Sequence, residues 1–212
     1  CWCFATVSFL ESETLRLGGE SLDLSEMFIV NYNYRDKARN YVRMHGNATF
    51  GQGSLGHDVM KQLRNHGIVP ESVYSGMELG YDHHDHSELF RILHGIIDGV
   101  VAARRPTIRW EAAFAGALNA ILGTPPENFT YNGKSYTPKS FAKEVVMADP
   151  DDYVEITSYT YAPFYEQCVV KVPDNWWYND EFYNVPLDEL AELLCGERDR
   201  AACDRPALSE QL

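Results

Sequence analysis

No apolar stretch in the sequence is long enough to span a bilayer: the best candidate, 89–103, is broken by His94 and Asp98. No CxxC pair occurs among the five cysteines, Cys1, Cys3, Cys168, Cys195 and Cys203, and the count is odd. That argues against a dense disulfide framework and against a structural zinc site. Positive charge is in short supply, with 18 Lys and Arg against 31 Asp and Glu, a net of −13. This argues against nucleic acid or an anionic membrane as the main partner. No histidine follows His94, so the second half offers no imidazole. No secretory signal is present in these residues, and unpaired thiols fit a reducing compartment, which gives a cytoplasmic expectation. The chain does not open on Met, which implies that something lies upstream of Cys1.

What is present is ordinary for a globular protein. The 212 residues are 45% hydrophobic and 23% charged, enough for one large domain or two small ones with a sizeable core. Phe4, Val7, Leu10 and Leu17, with Thr14 between them, fall at helical spacing. Cys1 then stands at a helix N-terminus, where unpaired N–H groups and the positive end of the dipole favour a thiolate. A lowered thiol pKa is what a nucleophilic cysteine needs at neutral pH. Gly18-Gly19 stops this helix, and Ser25 is a plausible N-cap for the next, ahead of Phe28, Ile29 and Tyr32.

Residues 46–56 read as a loop containing Gly51-Gln52-Gly53-Ser54-Leu55-Gly56. Its glycines fall at GxGxxG spacing, but no strand is expected before it and no GK[ST] follows, so it is not read as a phosphate loop. A helix starts near His57 and ends at Gly67, with Pro70 beyond. His57-Asp58 and His83-His84-Asp85-His86 invite a metal reading, but adjacent histidines do not share a helical face and HExxH spacing is absent. No metal and no cofactor are expected.

Two amphipathic stripes follow: Leu89, Ile92, Leu93, Ile96, Ile97, Val100 and Val101, then Trp110, Ala113, Phe114, Ala117, Leu118 and Ile121. They most simply pack on each other as a helical hairpin. Tyr131-Asn132-Gly133-Lys134 is a tight hairpin turn, and Thr137-Pro138 sets an N-cap and first-turn proline for a helix through Val146. Residues 153–157 and 168–172 have strand composition. Asn175-Trp176-Trp177-Tyr178 reads as an aromatic loop that packs rather than binds. A last helix opens at Val185-Pro186-Leu187, with Leu190, Ala191 and Leu194 facing inward.

Four of these stretches, in order, resemble the papain-like cysteine peptidases of the bleomycin hydrolase / aminopeptidase C family. They are CWCFAT with VSFLESE at 1–13, Leu24-Ser25-Glu26, the run from Asn65 to Tyr74, and GTPPENFT at 123–130. The resemblance covers 1–194. It implies an α+β fold built from the helical half of a papain-like domain, a helical insertion and a few late β-strands. The corresponding divisions are 1–87, 88–150, 151–194 and a divergent tail, 195–212. It implies that Cys1, not Cys3, is the nucleophile. It also implies that Gly53-Ser54-Leu55 stands where the family has a double-glycine loop that hydrogen-bonds the substrate backbone. Peptide substrates and a homo-hexameric assembly are implied as partners.

Such a thiolate works with a histidine and an orienting Asn or Asp from far downstream, which this sequence does not supply. The chain is therefore expected to be part of a longer aminopeptidase and inactive, or nearly so, by itself. Two other readings are an N-terminal-nucleophile cysteine amidase and a non-catalytic helical interaction module. The first would use Cys1's own amine as base and would set Cys1 on a strand.

Overall fold

The computed structural model describes residues 1–77, 85–103 and 105–195. His83 and His84, and the tail from 196 onward, lie outside the described residues. The chain forms two compact units. Among the described residues, the larger comprises 1–153 with 172–177, and the smaller 154–171 with 178–195.

The larger unit is helical. It contains α1 (Trp2–Arg16), α2 (Glu26–Arg43), α3 (Gly56–His66), α4 (His86–Ala102), α5 (Arg109–Leu122) and the short α6 (Pro138–Phe141). A two-stranded hairpin, β1 (Phe129–Tyr131) and β2 (Lys134–Tyr136), precedes α6. The inward stripe of α1 is Cys3, Val7, Leu10 and Thr14, each at most 2% exposed. Phe4 and Leu17, expected on that stripe, are 51% and 43% exposed. The 3.6-residue period runs through 3, 7, 10 and 14, and the helix has ended at Arg16, so Leu17 lies beyond its last turn.

Ser25 caps α2 as its position suggested: its Oγ accepts from Phe28 N at 3.1 Å. The same hydroxyl donates to Tyr74 O, and Ser25 N donates to Val69 O at 2.9 Å. The 24–26 and 65–74 stretches, distant in sequence, are thus bonded to each other. α4 and α5 pack together and on α2. Each buries one residue per turn, Leu89, Leu93 and Ile97 on α4 and Phe114, Leu118 and Leu122 on α5. The stripes are narrower than the sequence suggested, and Ile92 is 40% exposed.

Asn132 and Gly133, both with positive φ (47° and 77°), close the β1–β2 hairpin. Thr137 and Ser140 form a reciprocal capping box at the start of α6. The helix then widens into a π turn over Ala142–Val146 rather than continuing as α-helix. Phe141, fully buried, is gripped by the rings of Phe129, Tyr131 and Tyr136 at 5.1–5.7 Å.

The smaller unit holds three short strands, β3 (Ile156–Thr157), β4 (Gln167–Cys168) and β5 (Phe182–Asn184), in the order β3-β5-β4, and α7 (Leu187–Cys195). β5 pairs parallel to β3 and antiparallel to β4. Its three residues carry too short a pattern for the sequence to reveal; of the expected strands, 153–157 is shortened to Ile156–Thr157, and of 168–172 only Cys168 lies in a strand. Asn184, fully buried, ties the unit together. Its Nδ2 donates to the carbonyls of Tyr159, Ala162 and Pro163 at 2.9–3.0 Å, and its Oδ1 accepts from Tyr159 N at 2.8 Å. α7 corrects an expectation. Leu194 is 79% exposed and Ala191 is exposed, leaving only Leu190 half-buried of the three residues expected inward. Among the described residues no helix is long and apolar enough to cross a membrane. Helices outweigh strands, in keeping with an α+β class.

Gly67 ends α3 at φ +80°, and a Cβ there would stand 2.5 Å from Lys139 N. Gly67→Ala therefore meets backbone strain and a clash with an immovable neighbour, and is expected to cost at least ~2 kcal/mol, measured by urea denaturation.

Glu71 gives a pH signature. Burial, with the Glu26 and Asp23 carboxylates beside it, pushes its carboxyl up to about 7. A raised carboxyl takes up a proton on folding, so stability is lost as pH rises from the unfolded value through about 7. Glu71→Gln is expected to raise the melting temperature at pH 8 by ~2–4 °C, and to change it little at pH 5. An equal gain at both pH values would refute this origin.

Candidate functional site

Cys1 is exposed and stands at the N-cap of the 15-residue α1. Its carbonyl accepts the first helical bond from Ala5 N at 3.1 Å, while its side chain caps no N–H of the helix. The thiol is thus at the positive end of the helix without being tied back to it. Cys3, two residues on, faces the core. It lies 3.5 Å from Glu26 O, and burial pushes its thiol well above the usual range. Of the two, only Cys1 has the setting of a reactive sulfur.

Cys1 stands beside a cavity of about 290 Å³. Trp2, Cys3 and Phe4 of α1 form one side, and Met27, Val30, Asn33, Tyr34 and Lys37 of α2 another. Gly51, Gln52 and Gly53 close it, with His86 at the start of α4. The lining is mostly aromatic and aliphatic, with a few polar groups, the usual make-up of a small-ligand or side-chain pocket.

The glycine loop is held by donors from two helices. Lys37 Nζ donates to Gly51 O at 3.0 Å and to Gly53 O. Trp2 Nε1 donates to Gln52 O at 3.1 Å, so all three successive carbonyls are engaged. The Gln52 side chain donates to His86 O at 3.3 Å. On the far side of Gly53 stands the Asp174 carboxylate, so close that a Cβ would be 2.6 Å from Oδ2. A side chain at 53 would have to displace the Asp174 carboxylate. Lys37 is only 2% exposed. Burial pulls its ammonium down to about 8, with Asp58 and Asp174 partly holding it up.

Of the three loop residues singled out from sequence, Gly53 lines the cavity, whereas Ser54 and Leu55 are not among its lining residues. Ser54 is buried: its Oγ accepts from Asn33 Nδ2 at 3.0 Å and donates to the Asp58 carboxylate. Leu55 is half-buried at the N-cap of α3. The chain brings Cys1 and Gly53 to one cavity and turns Ser54 away from it.

The hub behind the loop was not legible in advance. Asp58, fully buried, accepts from Trp176 Nε1 at 2.8 Å and Trp177 Nε1 at 2.9 Å. Lys61 Nζ lies over both indole rings at 5.1 and 4.7 Å. The tryptophans pack, as expected of that aromatic loop, but on a carboxylate. A signal for Lys37 did exist. Met27, Val30, Tyr34 and Lys37 recur at 3, 4 and 3 residues, placing a lysine on the inward stripe of α2.

Asp58→Asn replaces one acceptor lobe with an amide that cannot accept from the Ser54 hydroxyl and two indoles together. It is expected to cost about 3 kcal/mol, read by urea denaturation followed through tryptophan emission. A loss under ~0.5 kcal/mol would show that the carboxylate is not what holds the indoles.

No family model and no curated protein matches the sequence. Among solved structures, the chain is similar to PepW from Lactobacillus rhamnosis HN001, a crystal structure determined as the selenomethionine derivative, with a TM-score of 0.66 at 17% identity. The match covers 91% of this chain and 53% of PepW, so the chain spans about half the length of that protein and shares the fold over that half.

Proposed function

We propose that this chain carries the nucleophile and one wall of the substrate groove of a cysteine peptidase, of the bleomycin hydrolase / aminopeptidase C type, with a papain-like fold. The observation that carries the reading is the pairing of an exposed Cys1 at a helix N-terminus with a cavity walled by the Gly51–Gly53 loop. The likeness in fold to PepW supports it. In this reading Cys1 Sγ attacks the carbonyl carbon of a peptide bond as the thiolate. The carbonyl oxygen takes the negative charge beside the positive end of α1; as the C–N bond breaks the amine takes a proton from the histidine partner, and water then releases the acyl group from sulfur. The loop backbone and the apolar cavity position the peptide, its backbone along Gly53 and one side chain in the space between α1 and α2. The intact peptidase would draw its histidine base from outside these 212 residues.

The amidase alternative asks for Cys1 on a strand, and in the fold it begins a helix. No observation favours it, nor a purely structural role that would leave an exposed thiol at a cavity unexplained.

The test is alkylation of the 212-residue chain by iodoacetamide, with labelled peptides quantified at pH 6–9. Folded Cys1 is expected to react ~10-fold faster at pH 6.5 than Cys1 of the same chain in urea, because the fold lowers the thiol pKa. The comparison removes any effect of the chain terminus, which is common to both states. Equal rates in the two states would overturn the reading.

A further inference from the structure

Lys37 is sealed from solvent yet bears a cation, and its hydrogen-bond partners are the two carbonyls on either side of Gln52. A buried ammonium is costly unless something specific uses it. Its neighbours do not pair with it in the usual sense. Asp58 is already bonded by Ser54, Trp176 and Trp177, and Asp174 lies against Gly53. What Lys37 does alone is turn Gly51 O and Gly53 O inward, which fixes the outline of the cavity beside Cys1.

We propose that Lys37 is the positioning residue of the cavity wall: its side-chain nitrogen, donating to both carbonyls, pins Gly51 and Gly53, and the wall loosens when those donors are removed. The groups sharing its surroundings are Asp58 of α3 and Asp174 of the 172–177 segment, with Tyr34, Cys1, Cys3 and His86 on the same cavity. The two carboxylates favour the charge and burial opposes it. The ammonium is therefore fully present below about pH 7 and is given up as pH rises through about 8. A depressed lysine means that the unfolded chain binds more protons between that value and the ordinary 10.5. This group alone makes the fold as a whole no less stable over that range. An opening of the wall that exposes Lys37 takes up a proton over the same range, so the wall opens less often, not more, as pH rises through about 8. The wall's behaviour does not depend on Cys1 being a nucleophile, and the alkylation experiment and the one below can fail separately.

The experiment uses the full chain. Carbon-detected NMR follows the Gly51 and Gly53 carbonyl resonances from pH 6 to 9.5, and native-state proteolysis, normalised to an unstructured peptide, follows cutting within 50–55. The carbonyl shifts are expected to titrate together with the Lys37 side chain. Cutting is expected to fall about tenfold between pH 8 and 9.5, because opening then requires Lys37 to take up a proton. Lys37→Met is expected to be cut fast at every pH. Lys37→Arg, which keeps its charge, is expected to be cut slowly with no step near pH 8. A merely space-filling lysine would give flat carbonyl shifts and equal cutting in the wild type, and that result overturns the proposal. Should Lys37→Met fail to fold, the wild-type pH profile decides alone.

Discussion

Two opposite charges buried within one unit, the Lys37 ammonium and the Asp58 carboxylate, constrain everything around the cavity. Neither could be carried into a protein interior alone, since an unpaired buried ion costs several kcal/mol. Trp176 joins them: its ring lies 6.0 Å from Lys37 Nζ, and its Nε1 donates to Asp58. Each ion spends its remaining bonding capacity on a different piece of chain. The lysine takes the carbonyls of the glycine loop, and the aspartate takes Ser54 and the two indoles of the 172–177 segment. This explains why a segment far along the chain belongs to the larger unit while its neighbours on both sides belong to the smaller one.

How much could be read in advance followed from how local each signal was. Ser25 as a cap, Gly67 as a stop and Asn132-Gly133 as a turn are decided by a few adjacent residues, and all three hold in the structure. Helix positions were legible from periodicity, but the buried face was not fixed to the residue. Cys3 counts as apolar as readily as Phe4, and only tertiary packing chose between them. β5 and the Asn184 hub of the smaller unit were not legible, because three residues make no pattern and an asparagine's partners are distant in sequence.

The same limit governed the candidate site. Cys1 could be named from a cysteine at a helix start, whereas Gly53 was named only through the resemblance of its loop to the family's double-glycine loop. Ser54 shows the limit of residue type as a guide: next to Gly53 in sequence, it is drawn away from the cavity by its hydrogen bonds to Asn33 and Asp58. His57-Asp58 drew attention as a metal pair, and its carboxylate proves to be an acceptor for both indoles while the His57 ring packs edge-on against Trp177 at 5.3 Å. Among the described residues no cluster of three or more His, Cys, Asp or Glu could hold a metal ion.

The two cysteines at the start of α1 show how one helix can give identical groups different fates. Each residue advances the helix by about 100°, so positions 1 and 3 point to nearly opposite sides. Cys3 therefore joins Val7, Leu10 and Thr14 in the core, where burial suppresses its ionisation. Cys1 must then face outward, at the turn whose N–H groups lack helical partners. Trp2, between them, reaches sideways to Gln52 O and brings the glycine loop alongside. Exposure of the first thiol, burial of the second and the approach of the loop thus follow from one helical phase. That phase is set by the apolar residues at 7 and 10, and a change there would disturb all three at once.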